Sequence, residues 1–153
     1  MKFIYELSRS IAKGHSLRGG NEMISANDRL NIHVKADLTA HLRKLSTDVA
    51  HETYEHIEMF SEDRTCYMAI VVSPPTKRKM DVPNWYPTVK ALIDGLTDAG
   101  VFEDDNDNVI KSYMFMRGPV TDNKKYRIEL ILHSTVRELF EELTNMDILE
   151  TAV

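Results

Sequence analysis

Asp81 and Asn84 precede one predicted helix, and Asp104, Asp105 and Asp107 follow it. Carboxylate and amide oxygens are the ligands that hard divalent cations such as Mg²⁺ take, and such cations keep water positions free for a substrate. A phosphodiester nuclease uses a metal held this way to polarise the phosphate and to generate hydroxide. Acids on either side of a helix converge only if the flanking strands bring both ends together. The competing reading is an acidic surface turn and an unrelated aspartate. Lys90 lies in the first part of the same helix, and Lys77-Arg78-Lys79 form a compact basic cluster just ahead of Asp81.

Other chemistries find less support. Gly14-His15-Ser16-Leu17-Arg18-Gly19-Gly20-Asn21 begins like a phosphate loop but lacks the Lys-Ser/Thr pair that completes one, so a flexible loop is the better reading. The six histidines include no pair at the i, i+4 spacing of a helical zinc site; His51 and His56 are five apart. Solvated helix positions account for them. No Gly-x-Ser-x-Gly elbow occurs. The single cysteine, Cys66, excludes an intramolecular disulfide and a cysteine zinc cage, and reads as a small buried residue entering a strand.

The elements that must carry these residues follow from periodicity. Residues 2–7 and the continuous apolar run 65–73 read as strands, the second ended by Ser73-Pro74-Pro75. Between them Leu38, Leu42, Leu45 and Val49 mark one face of a helix from about Ile32 to about Ile57, after a long connection over 8–28. Thr88 reads as the N-cap of a second helix with Val89, Leu92, Ile93 and Leu96 inward and Gly100 as its C-terminal stop. Residues 109–116 and 126–132 read as two strands joined as a hairpin, the second alternating Tyr126, Ile128, Leu130, Leu132 against Arg127 and Glu129. Thr135 with Glu138 is a capping box for a last helix with Val136, Leu139, Phe140 and Leu143 inward; the tail after Asn145 is weakly specified. The class is α+β: a small mixed or antiparallel sheet with helices packed on it, in one domain over 1–153.

The chain has 153 residues, 42% hydrophobic and 28% charged, and a formal net charge of −5. That length fits one domain, and the composition fits a folded protein rather than a disordered one. The longest apolar run, Tyr67–Val72, falls far short of the roughly 20 residues of a membrane span, so no membrane partner is expected. Glu6 interrupts the N-terminal apolar patch, which has no signal-peptide core, and the expected location is cytoplasmic. The net charge argues against bulk attraction to nucleic acid, but it hides the local basic cluster at 77–79.

The stretch Lys79-Met80-Asp81-Val82-Pro83-Asn84-Trp85-Tyr86-Pro87-Thr88-Val89-Lys90, continued by Asp94-Gly95-Leu96, Ala99-Gly100 and Asp104-Asp105, resembles the core motif of the RusA-like Holliday-junction resolvases. That motif is Asp-x-Asp-Asn, a lysine, Asp-(Ala/Gly)-Leu-x-x-Ala-Gly and Asp-Asp. The chain is most similar to a phage-borne branch, and Ile24–Ala36 resembles that branch's N-terminal signature. The resemblance implies a small homodimeric α+β endonuclease that resolves four-way DNA junctions with Mg²⁺ or Mn²⁺, encoded by a phage or working in a bacterial host cell. Carried over by position, Asp81 and Asp105 are catalytic acids and metal ligands, Asp104 and Asn84 assist at the metal, and Lys90 is the catalytic lysine. Pro83 replaces the family's second acid, three extra residues separate Asn84 from Lys90, and a longer acidic loop makes Asp107 a candidate replacement ligand.

On that reading Lys77, Arg78 and Lys79 position DNA phosphates, and Asn27, Arg29 and His33 lie near the same site. Trp85 and Tyr86 either stack on an unpaired base or pack internally. Two rival functions remain. One is a catalytically impaired binder of branched DNA with the same fold, favoured by Pro83. The other is a protein adaptor using the acidic helix from Thr135 to Asn145.

Overall fold

The computed structural model of the chain describes residues 1–146. Strands β1 (Lys2–Leu7), β2 (Cys66–Ser73), β3 (Ile110–Arg117) and β4 (Tyr126–His133) form one mixed sheet in the order β1-β4-β2-β3. Helices α1 (Ile32–Thr53), α2 (Tyr86–Asp98) and α3 (Val136–Asn145) pack on it, so the architecture is α+β as expected. β4 is antiparallel to both β1 and β2, whereas β3 is parallel to β2. A parallel neighbour needs a crossover, and α2 supplies it.

The expected hairpin between β3 and β4 does not form, because β2 lies between them. β2 is the most continuously apolar strand, and a central place with neighbours on both sides buries it best. One face of the sheet carries Phe3, Tyr5, Met68, Ile70 and Leu130 against Leu38 and Leu42 of α1 and Leu92 and Leu96 of α2. The other carries Ala69, Val71 and Ile131 against Leu139 and Leu143 of α3. With both faces covered, the alternation expected of β4 breaks down: Ile128 through Leu132 are all buried, Glu129 included.

Local signals decide the helix ends. Asn31 caps α1 by accepting the His33 N–H at 2.8 Å. The helix stops at Thr53, short of Ile57, because Tyr54 turns extended and its hydroxyl accepts the Lys2 N–H at 2.7 Å. Along α1, Leu38 and Leu42 are buried as expected, but Leu45 and Val49 only half so; Ser46 and Ala50 take the inner positions. The reason is a close crossing of α1 and α2. A Cβ on Gly95 would meet the Arg43 carbonyl oxygen at 2.2 Å, and the Ser46 hydroxyl donates to the Leu92 carbonyl at 2.7 Å.

α2 begins at Tyr86, not at Thr88. The Thr88 hydroxyl is buried and exchanges hydrogen bonds with Ile24 N and O, both at 2.8 Å. Gly100, at φ +85°, ends the helix as expected, its N–H bonding Thr97 O at 3.0 Å. Thr135 caps α3 through the Glu138 N–H at 3.2 Å. Val136 and Phe140, expected to point inward, are exposed instead. Leu139 and Leu143 alone form the narrow i, i+4 stripe that reaches the sheet. The connection over 8–28 is not loose: Asn21 is fully buried, and its amide donates to His15 O and Met23 O at 2.8 Å each. The tail beyond Met146 lies outside the described residues. No described helix is long and apolar enough to cross a membrane.

Candidate nucleic-acid cleft and carboxylate–lysine cluster

Pro74 and Pro75 end β2 and release the chain into the loop that carries the basic cluster. Arg117, the last residue of β3, pins that loop by donating to Arg78 O at 2.9 Å and Thr76 O at 3.2 Å. A short 3-10 turn, Val82–Trp85, then leads into α2. Together they wall a cavity of about 400 Å³ lined by Arg9, Arg78, Lys79, Lys124, Asp81 and Asn84. Four cations and one acid line it, and even with Arg9 paired to Asp28 the lining is net positive in a chain of net negative charge.

Arg9 and Lys124 enter this cleft from segments distant in sequence. The Arg9 guanidinium holds the Asp28 carboxylate in a fork, at 2.6 and 2.8 Å, and lies 5.2 Å over the Trp85 ring. Burial raises the Asp28 pKa, but the hydrogen bonds from Arg9 and from the Ser25 N–H outweigh it and hold the carboxyl below the usual carboxylate range. Trp85 is only 7% exposed, wedged between Arg9 and Tyr126, whose ring centre is 5.0 Å away. It packs there and also lines the floor of the cleft.

The segment from Ile24 onward meets the central motif directly. Ala26 N–H donates to Asn84 O at 2.7 Å, beside the Ile24–Thr88 pair, and Ser25 lines the cleft. Asn27 and Arg29 are exposed; Arg29 borders a neighbouring shallow pocket with Lys35 and Pro87 rather than the cleft itself. His33 is exposed and contributes its backbone N–H to the α1 cap. Lys77 is exposed and outside the cleft lining.

A second cluster forms along α2. The Lys90 ammonium donates to Asp105 and, at 2.6 Å, to Asp94 one turn later. Burial pulls the Lys90 pKa down, but the bonds to Asp105 and Asp94 outweigh it and hold the lysine above its usual value. The Lys90 hydrogen bond keeps Asp105 below the usual carboxylate range. Tyr113 of β3 adjoins this cluster; burial, then the neighbouring Tyr86 and Asp105, push its phenol up to about 12. Asp104 stays beside its neighbour and shares a side-chain hydrogen bond with Asp105. It accepts the Asp105 N–H at 2.7 Å and the Asn106 amide at 3.0 Å, and borders a separate acidic pocket with Glu62, Asp63 and Glu103. Asp107 is exposed.

Asp81 thus belongs to the basic cleft, and Asp105 to the lysine cluster. Sequence reasoning passed over Arg9, Lys124 and Asp94 as site residues. The i, i+4 spacing of Asp94 to Lys90 was the available signal for one of them; nothing local marks Arg9. The donor types suit a hard divalent cation. The arrangement does not supply a cage, because among the described residues no three His, Cys, Asp or Glu side chains gather to hold a metal. The Asp105 carboxylate is engaged by Lys90, and Pro83 offers no donor where the resemblance calls for an acid.

Cys66 is buried at the start of β2, where desolvation pushes its thiol up to about 12, so it is no nucleophile. His41 hydrogen-bonds with Glu22 at 2.8 Å, and His133 with Glu142, so these two rings are engaged by carboxylates rather than only by solvent. No protein-family model matches the chain, and no curated protein is significantly similar to it.

Proposed function

We propose that the chain is a RusA-like, structure-selective DNA endonuclease that nicks four-way junctions and requires Mg²⁺ or Mn²⁺. The observation that carries this reading is the cationic cleft around Asp81 and Asn84, immediately before the helix that bears Lys90 and Asp94, with Asp105 reaching Lys90 from the loop that follows. Arg78, Lys79 and Lys124 supply the sequence-independent phosphate contacts that place a backbone, and Arg117 holds the loop of Arg78 and Lys79 in register. Lys90 is the cation positioned for charge that develops on a phosphate oxygen. A divalent cation would be held by the Asp81 carboxylate and the Asn84 amide oxygen, and when bound would supply phosphate polarisation and an activated water. The residues themselves bind the strand, orient it and carry the compensating charge. Two copies related by a two-fold axis suit symmetric nicking of a symmetric junction.

The second reading is a binder of branched DNA that does not cut. Pro83 and the Lys90-engaged Asp105 favour it. One assay separates the two: a labelled synthetic four-way junction incubated with and without Mg²⁺ or Mn²⁺, resolved on a denaturing gel. Paired symmetric nicks that depend on the cation support the endonuclease. Tight binding without nicks in either cation selects the binder, and no preference for the junction over duplex removes both.

A further inference from the structure

Tyr86 follows the cleft-lining Trp85 in the chain and precedes Lys90 by one helical turn, and its surroundings differ from those of Trp85. Trp85 is closed on two sides by Arg9 and Tyr126. Tyr86 is 40% exposed, a large aromatic left in water at the first position of α2. Its ring makes T-shaped contacts with Tyr113 at 6.3 Å and Phe115 at 6.2 Å, at interplanar angles of 84° and 66°. Two aromatic neighbours orient the ring while it keeps 40% exposure to solvent. Tyr86 is also four residues before Lys90 and eight before Asp94, so the three follow one face of α2. The adjoining cleft is cationic, which fits an anionic strand and disfavours a purely apolar partner.

We infer that Tyr86, backed by Tyr113 and Phe115, is a stacking platform for one unpaired nucleobase of a DNA strand whose phosphates run from the Arg78–Lys79 cleft toward Lys90. The inference rests on the DNA reading above and names where that reading takes an unstacked base. Aromatic stacking recognises any base, because every base offers a π-face. The platform therefore favours strands with unpaired bases, such as those at branch points, without selecting sequence. A fully paired duplex has no base to offer it.

The test measures binding in EDTA, so that cutting does not intervene, to a fluorescent single strand, a four-way junction and a duplex of equal length. Wild type is compared with Tyr86→Ala, Tyr86→Phe and Tyr86→Trp, with thermal melting confirming that each is folded. Tyr86→Ala is expected to weaken single-strand and junction binding roughly 5- to 100-fold while duplex binding is unchanged. Tyr86→Phe and Tyr86→Trp are expected to restore it. In addition, 2-aminopurine at the junction centre should brighten on binding wild type less than on binding Tyr86→Ala, since stacking on tyrosine quenches it. Unchanged single-strand affinity in a folded Tyr86→Ala overturns the platform and leaves the cleft reading standing. Equal losses on all three DNAs overturn it as well, since that marks a general rather than a stacking contact. If wild type binds none of the three DNAs, the DNA reading fails and the platform with it.

Discussion

Asp81 and Asp105, the two acids that the resemblance makes equivalent partners, occupy opposite electrostatic settings. Asp81 is exposed in a cleft of Arg9, Arg78, Lys79 and Lys124, and among the described residues no side chain donates a hydrogen bond to it. Asp105 is half-buried and locked to Lys90, which also holds Asp94. An acid inside a cationic cleft opposes the phosphate that the surrounding cations attract. An acid already paired to a lysine contributes little field of its own. The two should therefore respond differently to the same substitution, though both are expected to matter for cutting.

The largest effect expected is on chemistry. Asp105→Asn should lower single-turnover junction nicking in Mg²⁺ by on the order of 100-fold or more while junction affinity in EDTA stays near wild type. Equal losses of affinity and rate would merge the two regions into one binding surface.

Next comes the cleft itself. Lys79→Ala and Arg78→Ala should each weaken junction binding across sequences and reduce the slope of log affinity against log salt by about 0.9. Lys77→Ala, outside the lining, should change the slope less. A third measurement sharpens the contrast between the acids. Asp81→Asn should tighten metal-free junction binding about fivefold, since a unit charge at 4 Å in water is worth about 1 kcal/mol. Asp105→Asn should not.

The smallest effect is on stability against pH. Asp105 titrates below the usual carboxylate range in the folded chain because of Lys90, so its contribution is fully present above that range and fades as pH falls through its folded value. Lys90 titrates above the usual lysine value, so its share is present below that value and fades only in strong alkali. Asp105→Asn should therefore flatten the acid limb of a chemical-denaturation profile below about pH 4 and leave neutral pH nearly unchanged. An unaltered acid limb would mean that the pair is not formed in solution.

How much of this was legible in the sequence depends on whether the determining contacts are local. Thr135–Glu138, Gly100 and the apolar run of β2 speak through neighbours in the chain, and each appears in the structure as read. The order of strands does not speak that way. Residues 117–125 look like a hairpin loop, yet β2 takes the place between β3 and β4 because burying it on both sides outweighs the short connection. The same global demand buries Glu129 and leaves Phe140 in water. Thr88 has the profile of a cap but spends its hydroxyl on Ile24, a partner 64 residues away. At the site, the linear motif from Lys79 to Asp105 marked both clusters. It did not show that Asp104 spends its carboxylate on the Asp105 N–H and the Asn106 amide, a property of the turn they form. Nor did it show that Arg9 completes the cleft through Asp28 and Trp85, since β1 and the 24–28 segment meet the motif only in three dimensions.

The most direct measurement is single-turnover cleavage of a four-way junction in Mg²⁺ by wild type, Asp81→Asn and Asp105→Asn, with binding of each measured in EDTA. Wild type alone should make paired symmetric nicks, Asp81→Asn should bind more tightly and Asp105→Asn should bind as wild type does. Junction binding by all three proteins with no nick from wild type, in Mg²⁺ or Mn²⁺, would contradict the claim that this chain cuts DNA.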